Sequence, residues 1–131
     1  EKASNYAKER VIFGAPIGKN QGVQFPLAKA FAHTLAAEAI VYRAAELYDA
    51  GTDPGVEANS AKMLAADASW EAAEACLQTH GGFGFAEEYD VERKFREARL
   101  YQVAPISTNL ILCYIAEQVL GLPKSYGAGA G

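Results

Sequence analysis

Apolar residues recur at spacings of three and four along most of this chain, which is the period of an amphipathic α-helix. In the longest such stretch Leu27, Phe31 and Leu35 share one face, and Gly51 marks its end as a residue that tolerates a left-handed conformation. No alternating apolar and polar run of useful length predicts a strand. The pattern therefore predicts an all-α protein, with helices over residues 1–13, about 24–50, about 58–80, about 90–102 and about 108–120.

Short connections rich in glycine and proline separate the predicted helices. Pro105 interrupts the pattern ahead of Ser107, which is a plausible N-cap for the last helix. Residues 81–85, Gly-Gly-Phe-Gly-Phe, fit neither a regular helix nor a strand and indicate close backbone approach. Helices joined by short connections pack antiparallel, so we expect an up-down four-helix bundle over residues 1–126 and a flexible tail at 127–131.

Composition and charge limit the possible functions. Of the 131 residues 50% are hydrophobic and 21% are charged, as in one ordinary globular domain. The net charge of -4 and the lack of a long Lys/Arg block give no support for a nucleic-acid partner. No run approaches the roughly 20 apolar residues of a membrane span, and the first residues are no signal sequence, so a cytoplasmic or organelle-matrix location is expected. Cys76 and Cys113 lie in apolar helical segments without metal-ligand spacing and are predicted to be buried core residues.

Helical bundles can hold a di-metal centre through the Glu-x-x-His motif. The two histidines, His33 and His80, follow Ala30 and Leu77 at that spacing, so no metal site is predicted. His33 is expected to be an ordinary helix-surface residue and His80 a helix-end residue. The residues alone predict a fold class but no chemical reaction.

A cluster of three arginines on the predicted fourth helix has two possible interpretations. Arg93, Arg96 and Arg99 lie beside Glu92 and Glu97, so they form either a solvated, ion-paired face or an anion site. The ion-paired face is the favoured interpretation. The aromatic residues near them and in the glycine-rich loop are expected in the core or an interface rather than in a stacking site: Trp70, Phe83, Phe85 and Phe95.

Four segments, taken in order, resemble the acyl-CoA dehydrogenase family. Residues 6–17 with Gln21 are similar to its Y-x-x-x-R-x-x-F-G-x-x-I element and following Q, and residues 78–85 to its Q-x-x-G-G-x-G-F element. Residues 88–93 and 96–99 resemble its E-Y-x-V-E-R and R-D-A-R stretch. All four occur in the order and spacing of the family and cover nearly the whole chain.

This resemblance implies the C-terminal helical bundle of a longer, flavin-dependent enzyme. Such an enzyme removes the α proton of an acyl-CoA thioester with a carboxylate base, while the β hydrogen leaves as hydride to FAD. The implied partners are the acyl-CoA substrate, further copies of the same chain in a dimer or tetramer formed through the bundle, and an acceptor of the electron-transfer flavoprotein type.

The resemblance also assigns expected cofactor contacts. Positions that match Arg10, Phe13 and Gln21 reach the flavin nucleotide of a neighbouring subunit, and those that match Gln78, Gly81 and Gly82 lie against its adenosine and pyrophosphate. Ser107 keeps a hydroxyl that can bond the flavin, and Asn109 replaces a polar residue close to it. The alternative is structural: the two glycines turn the chain, and Arg10 caps a helix C-terminus.

The sequence departs from the family where many members carry the catalytic base. Residues 101–107 align with Y-x-I-Y-E-G-T, and Pro105 stands where the glutamate would be, so no catalytic residue is assigned in this chain. Either the base lies upstream of residue 1, as in some branches of the family, or the protein is a base-less subunit of a hetero-oligomer. The first explanation is preferred because the cofactor positions are retained. A third possibility is a helical interaction module without a flavin role.

Overall fold

The computed structural model describes residues 1–125. The predicted flexible tail at 127–131 lies outside the described residues. The helices are α1 (Lys2–Glu9), α2 (Gln21–Asp49), α3 (Gly55–His80), α4 (Val91–Val103) and α5 (Thr108–Tyr114). Two short antiparallel strands, β1 (Val11–Ile12) and β2 (Ala15–Pro16), lie between α1 and α2. Single 3-10 turns cover Ile17–Lys19, Gly81–Phe85 and Glu87–Tyr89, and a π-helical turn covers Ile115–Val119.

Helix α3 is the centre of the bundle, because it packs against α1, α2, α4 and α5. The buried apolar residues of the described chain, other than Val91 and Ile111, are all alanines: Ala3, Ala7, Ala30, Ala37, Ala61, Ala66, Ala68, Ala75 and Ala98. Side chains this small allow helix backbones to approach closely. The prediction of an all-α helical bundle is confirmed.

Many large apolar side chains consequently point away from this core. On α2 the rings of Phe25, Phe31 and Tyr42 are each more than half exposed. Cys76 and Cys113 were predicted to be buried, and this is wrong in degree, because both are free thiols that are only partly buried. Partial burial still raises the pKa of the Cys76 thiol. No helix within residues 1–125 is long and apolar enough to cross a membrane.

The first predicted helix is four residues too long. Helix α1 ends at Glu9, and Arg10 has extended angles, φ -72° and ψ 110°. The chain then turns through Phe13 and Gly14, whose φ angles of 53° and 77° are both left-handed, to join β1 to β2. Two such residues between strands form the tight hairpin turn that matches strand twist. The predicted helix was too long because the three-residue spacing of Arg10 and Phe13 also fits helical periodicity.

Other element boundaries also differ from the prediction. Helix α2 begins at Gln21, about three residues earlier than expected, so Pro26 lies inside the helix. The segment 81–85, predicted to be irregular, is a 3-10 turn. The last helix is α-helical only to Tyr114 and continues as the π-helical turn. Its predicted N-cap is confirmed, since the Ser107 side chain accepts the backbone N–H of Leu110.

A cluster of Lys29, His33 and Glu71 joins α2 to α3. Lys29 Nζ lies 3.0 Å from Glu71 Oε1, and His33 Nδ1 lies 2.5 Å from Glu71 Oε2. The hydrogen bond from Lys29 is the largest cause that lowers the pKa of Glu71; burial opposes the shift, and His33 adds to it. Because the folded-state pKa is depressed, the ionised carboxylate stabilises the fold above its unfolded-state pKa. That contribution disappears as pH falls through the folded-state pKa.

We predict that Ile111→Ala lowers the free energy of unfolding by about 2–5 kcal/mol, because it leaves a cavity at a site only 1% exposed. Urea denaturation of the purified chain measures the change. The matched control is the neighbouring Leu110→Ala, which removes a side chain that is 51% exposed and should cost less than about 1 kcal/mol. Equal losses in the two variants would contradict the described core.

We predict that Glu71→Gln flattens the acid side of the stability profile, because glutamine has no charge to lose below pH 4.5, the usual pKa of a glutamate. Urea denaturation midpoints, measured from pH 3 to 7 at intervals of about 0.5 pH unit, give the slope of stability against pH. Glu74→Gln on the same helix is the control, because Glu74 is exposed. A Glu71→Gln profile parallel to that of the unsubstituted chain would exclude a net role for the cluster.

Candidate functional site

A cavity of about 470 Å³ opens where the end of α1 meets the end of α3. Its volume is within the ordinary range for small-molecule sites. Four of the residues assigned to cofactor binding line it together: Arg10, Gln78, Gly81 and Gly82. We call these four residues the phosphate cradle. The remaining lining residues are Tyr6, Ile12, Ile17, Thr79, His80 and Phe83.

Arg10 brings an uncommitted positive charge to the phosphate cradle. Its backbone N–H donates to the Tyr6 carbonyl at 2.8 Å and ends α1, so the backbone does cap that helix. Its guanidinium instead lies over the Phe83 ring, with Cζ 5.3 Å from the centroid. Within residues 1–125 Arg10 makes no ion pair, whereas Arg93 is paired with Asp90 and Glu97. A planar guanidinium in this state is suited to a phosphate.

The neighbouring glycines of the cradle have different physical requirements. Gly81 has a φ of 58° and closes α3, with its N–H directed to the carbonyls of Leu77 and Gln78, so the helix end itself requires glycine. Gly82 has no left-handed φ, and a Cβ there would meet no atom within 4 Å. Gly84 is explained by packing, because its Cβ would lie 2.8 Å from Leu77 Cδ1.

Gly82 is therefore a glycine that the fold of the described residues does not require. It lies on the wall of the cavity, where the missing side chain leaves the backbone open to a bound group. Together with the Arg10 guanidinium and the exposed Gln78 amide, this surface offers charge, hydrogen-bond donors and backbone access. These residues fit the diphosphate part of a dinucleotide such as FAD.

Two other assigned residues lie outside this cavity. Phe13 is at the tip of the β1–β2 hairpin and is fully exposed, and its left-handed φ of 53° is uncommon for a residue with a large side chain. Gln21 is the first residue of α2 and is also exposed. Neither side chain lines the phosphate cradle of its own chain.

Ser107 and Asn109 are well separated from the cradle. Both lie at the start of α5, and the preceding loop is held against α3 by Lys62, whose Nζ donates to the carbonyls of Tyr101 and Ile106. Lys62 precedes His80 by 18 residues of α3, which corresponds to roughly 27 Å along the helix. The structure therefore does not bring the α5 residues and the cradle into one site.

The arginine cluster on α4 is an ion-paired face, as favoured from the sequence. Arg96 pairs with Glu92, and Arg93 pairs with Asp90 and Glu97. The hydrogen bond from Arg93 is the main cause that holds the pKa of Asp90 below its usual value. The remaining member, Arg99, lies over the Trp70 ring at 5.5 Å. Trp70 itself packs against Phe95 with ring centroids 4.6 Å apart.

Sequence reasoning assigned no site role to three residues that shape these sites. Tyr6 and His80 stack on each other beside the cradle, and Lys62 fixes the loop before α5. The signals were positional: Tyr6 is one helical turn before Arg10, and His80 is directly before Gly81. Lys62 stands out as a cation directly after Ala61, in the alanine-rich sequence of α3.

Comparison with known proteins bears on the domain as a whole. The sequence model of the family described as acyl-CoA dehydrogenase, C-terminal domain, matches residues 1–120. An acyl-CoA dehydrogenase of Mycobacterium tuberculosis is 41% identical over 127 residues, which is 95% of this chain and 33% of that protein. Butyryl-CoA dehydrogenase from Megasphaera elsdenii has a TM-score of 0.87 and 34% identity, over 91% of this chain and 31% of that one.

A third solved structure, PigA with FAD and proline, has a TM-score of 0.85 and 26% identity over 92% of this chain and 31% of that one. The bundle and the cradle at its edge define a helical domain with a surface suited to a nucleotide phosphate. The chain belongs to the acyl-CoA dehydrogenase family, as its C-terminal domain. It spans about a third of the length of the relatives it matches.

We predict opposite effects of alanine at the two adjacent glycines of the cradle. Gly81→Ala should lower the free energy of unfolding by about 1–3 kcal/mol, because alanine is strained at a φ of 58°. Gly82→Ala should leave it unchanged or raise it by up to about 1 kcal/mol, because its Cβ enters open space. Urea denaturation of both variants measures the difference. A large loss at Gly82 would mean that the fold, rather than a ligand, requires glycine there.

Proposed function

We propose that this chain is the C-terminal helical domain, residues 1–126, of a longer acyl-CoA dehydrogenase that oxidises an acyl-CoA thioester between its α and β carbons. The family match over residues 1–120 carries the proposal. Relatives about three times as long support the view that the remainder of the full-length protein holds the flavin ring and the thioester. FAD, when bound, accepts the hydride that leaves the β carbon.

In this proposal the chain's own residues bind and orient the cofactor. Arg10 and Gln78 hold its phosphates, while Gly81 and Gly82 let the backbone approach them. Phe13 and Gln21, which do not line this cavity, reach the flavin nucleotide of a neighbouring subunit. Their exposure supports a contact outside their own chain.

The α5 residues are proposed to contact a cofactor at a second location, since roughly 27 Å of α3 separates their loop from the cradle. Ser107 has a hydroxyl that can donate a hydrogen bond, although its oxygen already accepts the Leu110 N–H at 3.4 Å. Asn109 is exposed one turn into α5 and offers an amide. In a symmetric oligomer each cofactor would then be contacted by α5 of one subunit and the cradle of another.

The proton-abstracting base is proposed to lie in the full-length protein outside this chain. Pro105, at the position where many relatives carry a glutamate, has no group that can accept a proton. The second candidate function is a base-less subunit or a helical oligomerisation module. Pro105 and the exposed apolar faces are the observations that favour it.

Oligomerisation through the bundle is part of the proposal. Phe25, Phe31 and Tyr42 on α2 leave 61%, 66% and 64% of their surface exposed, and an apolar surface of this kind is characteristic of an interface. We propose a homodimer or homotetramer in the cytoplasm. An acceptor of the electron-transfer flavoprotein type would then reoxidise the flavin.

We predict that the purified full-length protein loses its flavin absorbance when it is mixed anaerobically with at least one thioester from a panel of short- to long-chain acyl-CoAs. Bleaching requires both a bound cofactor and a base, because hydride leaves only as the α proton is removed. Stopped-flow absorbance measures it. Free acids of the same chains are the control and should not bleach the flavin.

The other outcomes separate the two candidate functions. Tight FAD binding without bleaching by any thioester would favour the base-less subunit. A colourless full-length protein that binds no added FAD would contradict a flavin role altogether. Purified residues 1–131 alone are expected neither to bind FAD tightly nor to oxidise an acyl-CoA, because the flavin ring is held elsewhere.

A further inference from the structure

The buried ring of His80 is anchored at the end of α3. Only 5% of its surface is exposed, and it is the last residue of the helix. His80 Nδ1 lies 2.8 Å from the carbonyl oxygen of Cys76. Because a carbonyl only accepts, Nδ1 carries a hydrogen and donates it. This bond within the last helical turn fixes the plane of the ring next to Gly81.

Tyr6 of α1 packs face to face on that ring. The ring centroids are 4.2 Å apart, with an angle of 23° between the planes. Tyr89 meets His80 edge-on at 5.6 Å and 70°, so the imidazole is held on two sides. The Tyr6 carbonyl also accepts the Arg10 N–H at 2.8 Å. The position of Tyr6 therefore determines where the last turn of α1, and with it Arg10, lies.

Phe83 completes the connection on the far side of the glycines. Its ring lies 5.6 Å from that of Tyr89 and under the Arg10 guanidinium at 5.3 Å. The aromatic cluster thus joins the segment that precedes Gly81 and the segment that follows Gly82 to α1. Arg10 and the glycines are about 70 residues apart in sequence, and these contacts are direct links between them.

We propose that the stack of Tyr6 on His80 is a positioning device, which sets the separation between Arg10 and the Gly81–Gly82 turn so that both meet one diphosphate. This inference rests on the proposed function, because the ligand is the phosphate part of FAD. Tyr6 and His80 act through Arg10 rather than through a bond of their own to the ligand. They are positioning residues, and a double-mutant cycle distinguishes the two roles.

The test is FAD affinity of the full-length apoprotein, measured by quenching of flavin fluorescence, in Tyr6→Ala, Arg10→Ala and the double variant. Tyr6→Ala alone should weaken binding about three- to tenfold, the size of an aromatic pair. In the Arg10→Ala background the same change should weaken it by less than about twofold, since the group being positioned is gone. Tyr6→Phe keeps the stack and should restore affinity to within about twofold.

A cofactor-free measurement accompanies the titration. Amide hydrogen exchange at residues 81–83 of the apoprotein should be faster in Tyr6→Ala and unchanged in Phe95→Ala. Phe95→Ala removes the aromatic pair with Trp70, which lies ten residues before His80 on α3, roughly 15 Å away. This control should lower the melting temperature and leave FAD affinity intact. If Tyr6→Ala does not fold, Tyr6→Leu replaces it.

Two results would overturn the inference while leaving the proposed function in place. One is unchanged FAD affinity in Tyr6→Ala. The other is an equal loss in both backgrounds, which would make Tyr6 a direct and independent contact. Failure of the unsubstituted full-length protein to bind FAD would overturn the inference together with the proposed function.

Discussion

The close approach of helix backbones around α3 is the constraint on which the remaining features depend. Ala61, Ala66, Ala68 and Ala75 bury small side chains along this helix, so its neighbours are held at short distance by backbone and Cβ contacts. A core of this kind contains few large apolar side chains. Each substitution by a larger side chain would force two helices apart, which makes the positions of α1 and α4 relative to α3 sensitive to its packing.

The phosphate cradle is a consequence of that arrangement. Helix α1 is short, and its contact with α3 places Arg10 beside the helix end at His80. The aromatic side chains at this end enclose a buried ring: Tyr6 and Tyr89 pack on the imidazole of His80, whose Nδ1 donates to the Cys76 carbonyl. Of the two adjacent glycines, Gly81 is required by the helix end, whereas the fold of the described residues does not require Gly82.

An alanine core also explains the surface. Side chains too large for close helix contacts, such as Phe31 and Leu35, are displaced to the outer faces and stay about half exposed or more. A domain with such faces is stabilised further when they are covered. Packing within the chain and association with other surfaces are therefore two results of one pattern in the sequence, in which small residues face inward and large ones outward.

Helix number and helix order were predictable from the sequence, because helical periodicity is a local pattern. The family segments marked Arg10, Gln78, Gly81 and Gly82 as candidates, and their role as cofactor contacts stays a prediction. Helix ends were less predictable. The spacing of Arg10 and Phe13 fits helical periodicity, but the chain forms a β-hairpin there, because β1 pairs with β2. Only the tertiary structure decided that Gly81 and Gly82 have different requirements, that His80 is buried against Tyr6, and that Ser107 lies far from Arg10. Those relations join residues distant in sequence, and no local pattern carries the distance between them.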